Sequence, residues 1–151
     1  MKQVIEFDIY QSKNNMNKKF LILATVTTLG FTFYSFQKKP AFDLKASVTR
    51  GKEIYQAQCL TCHQESGEGL EDVYPPLAKS DYLMADKKRS IVQVIKGATG
   101  AMKVNGKEYN MEMTGFDLSD QEVSDVLNYV RNSWSNKGNA VTPEEVKAAR
   151  R

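Results

Sequence analysis

The sequence predicts an all-α domain, a few helices wrapped around one interior, with an apolar amino-terminal helix ahead of it. Three stretches carry that prediction. In LSDQEVSDVLNYVRNSW, residues 118–134, Ser119 and Glu122 form a capping box, and Val123, Val126, Leu127, Val130 and Trp134 follow on one helical stripe. In SVTRGKEIYQAQC, residues 47–59, Ile54 and Tyr55 fall three and four residues after Gly51, on one side of a helix leading to Cys59. Phe20 to Phe36 are seventeen residues without a charge, FLILATVTTLGFTFYSF.

The chain has 151 residues, about one domain plus tails. Its net charge of +3 is unevenly spread: residues 1–44 carry +3, residues 45–136 carry −2 and residues 137–151 carry +2. The presumptive domain is thus mildly acidic, which argues against a nucleic-acid face.

The apolar run from Phe20 would span roughly 26 Å as a helix, close to a bilayer's hydrocarbon core. Lys18 and Lys19 precede it, and Lys38 and Lys39 follow. Residues 20–37 therefore read as a transmembrane anchor or a cleaved signal peptide, with residues 1–19 cytoplasmic. No A-x-A site follows, and aromatics gather at the carboxyl end, which suits an anchor. Met16, directly before NKKFLIL, would begin a conventional export sequence, and residues 1–15 would then be a misassigned upstream extension. Residues 38–46, with Pro40, read as a linker, and residues 47–136 as the domain.

Within that domain Gly51 costs its helix roughly 1 kcal/mol relative to Ala, so something should approach its backbone closely there. Residues 64–90 are loop-like, punctuated by Gly67, Gly69, Pro75 and Pro76. RSIVQVIKG fits a short helix ended by Gly97 or a buried strand. Asn105-Gly106 signals a hairpin turn between Val104 and Tyr109. Residues 137–151 read as a tail with a short, mostly exposed helix, in which Thr142, Pro143 and Glu145 make a second capping pattern.

The chemistry is concentrated in QCLTCHQ, residues 58–64, which holds both cysteines and the only histidine: Cys59, Cys62 and His63. Cys-x-x-Cys-His is the attachment signature of c-type haem. Two intervening residues let both sulfurs reach the vinyl edges of one ring, and the next residue places an imidazole beneath the iron. A thioredoxin-like redox motif would want a preceding buried strand, where this chain predicts helix. A structural zinc site needs four Cys or His ligands, and the chain has three such residues in all.

With one histidine, bis-histidine ligation within the chain is impossible. The second axial position is empty or filled by another residue, with a methionine thioether as the leading candidate. Met84 and Met102 read as packing; Met111 and Met113 lie in a loop between the hairpin and the last long helix.

The Gly-x-x-x-Tyr helix running into Cys-x-x-Cys-His, then PPL, VNGKEYNMEMTGF and LSDQEVSDVLNYVRNSW, resembles a class I cytochrome c over about residues 47–136. That resemblance implies the class I cytochrome c fold, a few helices around one covalently bound haem c. It implies His63 and Met113 as iron ligands, with Cys59 and Cys62 as the covalent anchors. Pro75 is implied as the carbonyl that accepts the His63 ring N–H. Family members commonly read Tyr-Asn-Gly-x-Met-Pro before the last helix; here Tyr109, Asn110 and Met113 match, Met111 replaces Gly and Thr114 replaces Pro. Met111 consequently stays open as a second candidate. Gly51 and Tyr55 would cross the last helix near Leu127 and Val130.

The function so implied is one-electron transfer with redox partner proteins, without independent catalysis or a small-molecule substrate. Its place would be the extracytoplasmic, periplasmic face of the bacterial inner membrane, in a respiratory chain. Alternatives are a haem subunit of a larger membrane-bound dehydrogenase, nitrite reductase or oxidase, and a haem-based ligand sensor. The run DKKR, residues 86–89, reads as solvated surface, with docking to an acidic partner as the other use.

Overall fold

A computed structural model describes residues 41–151, of which Phe42–Arg151 form one compact unit. The apolar run at residues 20–37 lies outside the described residues. Among those described, no helix is long and apolar enough to cross a membrane.

The first helix, α1 (Leu44–Gln58), starts three residues earlier than the pattern suggested, because the Asp43 side chain accepts the Ala46 N–H at 3.0 Å. Residues 44–46 are its first turn and not linker. A second short helix, α2 (Leu60–His63), carries Cys62 and His63, with Cys59 at its N-cap. Ser80 caps α3 (Asp81–Ala85), and Asp86 caps α4 (Lys87–Lys96), which Gly97 ends at φ 85°. RSIVQVIKG is thus helical, and α3 interrupts a stretch expected to be loop.

Four short strands follow: β1 (Gly97–Ala98), β2 (Met102–Val104), β3 (Lys107–Tyr109) and β4 (Met113–Thr114). β2 and β3 are antiparallel around Asn105 (φ 52°) and Gly106 (φ 85°), as the Asn-Gly pair predicts. β1 pairs with β4, Gly97 opposite Thr114 and Ala98 opposite Met113. The domain is helical with two small ladders.

The core is built on α5 (Asp120–Arg131). Both reciprocal bonds of the Ser119/Glu122 capping box form, and Val123, Val126, Leu127 and Val130 are buried. α5 crosses α1 at Gly51. A Cβ there would stand 1.9 Å from the Asp125 carbonyl oxygen and 2.9 Å from the Tyr129 Cβ. The close approach was anticipated; its partners are Asp125 and Tyr129, while Leu127 and Val130 face a cavity on another side of α5. Tyr55, Tyr129 and Trp134 close the crossing, with ring centroids 5.2 to 5.5 Å apart.

The carboxyl-terminal segment departs from expectation. The capping box at Thr142 and Glu145 forms as read, but α6 (Pro143–Ala149) is not mostly exposed: Val141 and Val146 are 0% exposed. Asn128, fully buried on α5, donates to the Val141 carbonyl at 2.8 Å and accepts the Val141 N–H at 2.7 Å. Lys87 bonds Glu145 at 2.5 Å, and Arg150 bonds Asp120 at 2.6 Å. The segment packs as part of the domain, against α4 and α5.

These bonds also account for DKKR. Asp86 caps α4, Lys87 holds Glu145, and the Arg89 guanidinium lies 3.6 Å over the Tyr82 ring. Only Lys88 of the run has no structural task among the described residues, which weakens the docking reading.

Candidate haem site

A cavity of about 430 Å³ opens between α2, the 74–83 segment, α4, the hairpin and the cavity face of α5. That volume is within the range of small-molecule sites. Leu83, Val94, Val126, Leu127 and Val130 supply apolar walls. Cys59, Cys62 and His63 line it together, and so do Pro75, Met111 and Met113. The five site residues implied by the resemblance, and Met111 as the second candidate ligand, therefore line one cavity.

The local fold explains how. The Cys59 N–H bonds the Tyr55 carbonyl at 2.9 Å and the His63 N–H bonds the Cys59 carbonyl at 3.0 Å, so the motif continues the helical path of α1. Its orientation is fixed from behind, where the Tyr55 hydroxyl donates to the Gln64 carbonyl at 2.6 Å and the Trp134 indole donates to the Glu65 carbonyl at 3.0 Å. Gly67, at φ 69°, sits where a Cβ would strike the Trp134 ring at 2.5 Å. The motif is thus clamped to the far end of α5.

His63 Nδ1 lies 3.0 Å from the Pro75 carbonyl oxygen. With Nδ1–H donating to that acceptor, Nε2 is left with a free lone pair for a metal. Burial lowers the imidazole's pKa, and the Pro75 bond opposes it. Burial first, and the neighbouring Cys62 second, push the Cys59 thiol up to about 11.

Another part of the lining is anchored by the β1–β4 ladder. Met113 is half-buried within it, the Phe116 N–H bonds the Val94 carbonyl at 2.9 Å, and a Cβ on Gly115 would come within 2.5 Å of the Ile95 carbonyl oxygen. Thr114 replaces a stiffening proline, and the ladder holds the loop instead. Met111 lies before the ladder and is 47% exposed. Met102 also lines the cavity, whereas Met84 packs against the core. Sequence reasoning left Met102 to packing and passed over Tyr82, Gln93 and Phe116, which also line it. An isolated Met, Tyr or Gln in a short element has no spacing signature.

The donor set suits an iron porphyrin. Two thiols and an imidazole lie at one wall, thioethers project from the 102–113 region, and the space between is largely apolar. Among the described residues, no group of three or more His, Cys, Asp or Glu side chains could hold a metal ion without such a ring.

Comparison with known proteins agrees. The sequence model described as Cytochrome c matches residues 48–134. Cytochrome c-552 of Thermus thermophilus is 37% identical over 110 residues, covering 66% of this chain and 83% of that protein. The cytochrome c subunit of the quinone alcohol dehydrogenase of Gluconobacter oxydans is 34% identical over 88 residues, 57% of this chain and 18% of the subunit. The CcoP subunit of the cbb3-type cytochrome c oxidase of Azospirillum brasilense is 29% identical over 98 residues, 61% of this chain and 30% of the subunit.

Proposed function

The chain belongs to the cytochrome c family, and from that premise we propose that it shuttles single electrons between protein partners, on a haem bonded to Cys59 and Cys62 and ligated by His63 and Met113. The cofactor is one covalently attached haem c, and the chemistry is haem-based electron transfer. The observation that carries the residue assignment is the convergence of two thiols, one imidazole and the ladder-held Met113 on a single apolar cavity.

The haem supplies a one-electron iron couple. The protein's residues do the rest. Cys59 and Cys62 would hold the ring, and the Pro75 carbonyl, 3.0 Å from His63 Nδ1, would leave Nε2 free for the iron. A neutral thioether from Met113 favours the lower iron charge. Leu83, Val126, Leu127 and Val130 exclude water and act in the same direction. With His63 and Met113 both held to the iron, no place for a substrate would remain on it, which suits an electron carrier.

We place this domain on the extracytoplasmic side of a bacterial inner membrane, where thiols delivered reduced can be joined to haem, with residues 20–37 as export signal or anchor. A second reading is a haem subunit of a larger redox enzyme. It is favoured by the likeness to dehydrogenase and oxidase subunits, of which the chain covers 18% and 30%. Co-purification in detergent of a stoichiometric catalytic partner would support it.

Equilibrium redox titration tests the carrier assignment. The purified protein should follow a single one-electron curve, and its reduced form should not bind carbon monoxide at neutral pH. Ready carbon monoxide binding would point to a ligand sensor instead.

A further inference from the structure

A haem brings two carboxylate side chains, and a largely apolar cavity must meet them with hydrogen-bond donors or lose their solvation. The side-chain donors that line this cavity include Gln58, Tyr74, Ser80, Tyr82, Ser90 and Thr114. Ser90 Oγ is committed, donating to the Asp86 carbonyl at 2.9 Å, whereas Ser80 Oγ, 2% exposed, accepts the Leu83 N–H at 3.1 Å as the cap of α3. At the mouth, Glu112 is itself an acid and would repel a carboxylate.

Tyr82 differs. Its hydroxyl oxygen accepts from Gln93 Nε2 at 3.1 Å, and both side chains line the cavity. Among the described residues, the Tyr82 O–H has no acceptor of its own. The Arg89 guanidinium lies 3.6 Å over the same ring and also donates to the Tyr82 carbonyl. Arg89 Nε is buried without a hydrogen-bond partner. A cation stacked on a phenol strengthens that phenol as a donor and favours negative charge beside it.

Resting on the haem reading above, we propose that Tyr82, oriented by Gln93 and backed by Arg89, receives a haem carboxylate and so sets which way round the ring lies in the cavity. The acid edge of the haem then points to the α3–α4 corner, and Tyr82 is a positioning residue for the cofactor. By dispersing carboxylate charge it also raises the reduction potential, since an undispersed negative charge favours oxidised iron.

The test uses the matured, haem-bearing chain. Tyr82→Phe keeps the ring and its stacking but removes the donor, so the midpoint potential should shift downward at neutral pH. The resonance Raman bending band of the haem carboxylates should move with it. Gln93→Leu should shift both in the same direction by less, and it decides the matter if Tyr82→Phe does not mature. A purely structural tyrosine would alter the melting temperature and leave potential and band unmoved. Coloured protein with both readouts unchanged would overturn this proposal alone, whereas a haemless parent chain would remove the reading beneath it.

Discussion

Gly51→Ala is expected to destabilise the matured protein by about 3 kcal/mol and to lower its melting temperature by roughly 10 to 20 °C. The added methyl would lie 1.9 Å from the Asp125 carbonyl oxygen and 2.4 Å from its carbon. Both are backbone atoms of α5, so no rotamer change relieves the overlap and the two helices must separate. Alanine's better helix propensity returns only about 1 kcal/mol. Separation also strains the bonds that join α1 to α5: Ser47 Oγ donates to Asp125 at 2.5 Å, and Arg50 grips the same carboxylate at 2.7 and 2.8 Å. Asp125 is 2% exposed, so its loosened charge would be poorly solvated. Thermal unfolding followed by circular dichroism measures the effect. A change of only a degree or two would mean that the crossing is not set by backbone contact at Gly51.

Met113→Ala is expected to abolish the thioether-to-iron absorption band, lower the midpoint potential and open the reduced iron to carbon monoxide, while the haem stays covalently attached. Met111→Ala should leave all three properties near those of the parent. The contrast follows from position: Met113 is held in register with Ala98, whereas Met111 precedes the ladder and is 47% exposed. A ligand on a mobile loop would exchange with solvent, and one on a paired strand is pre-positioned. The reverse pattern, with the band lost only in Met111→Ala, would transfer the ligand role to Met111.

What could be read from the sequence was written in local chemistry. Cys59, Cys62 and His63 announce a cofactor because no other fold element needs those three side chains within five positions. The caps at Ser119 and Thr142 and the Asn105-Gly106 turn are backbone devices whose partners lie within three residues, and all three form. Gly51 signalled a close approach because a glycine inside a helix wants a reason.

What could not be read depended on distant partners. The burial of α6 rests on Val141 and Val146 meeting α5, and on Asn128 serving as a buried polar bracket for a segment thirteen residues away. In sequence that helix shows one large apolar side chain, Val146, among charges and alanines, which is the pattern of an exposed helix. β1 and β4 have two residues each, too few to show an alternating period. Arg89 and Lys87 looked like solvated charge, and only the fold brings Tyr82 and Glu145 beside them.

The central claim is a haem joined by thioether bonds to Cys59 and Cys62, and intact-protein mass spectrometry after acid-acetone extraction tests it most directly. Chain expressed in cells competent for cytochrome maturation should keep its colour through extraction and exceed the polypeptide mass by one haem, with Cys59→Ser/Cys62→Ser losing both. A colourless product at the bare polypeptide mass would contradict the account.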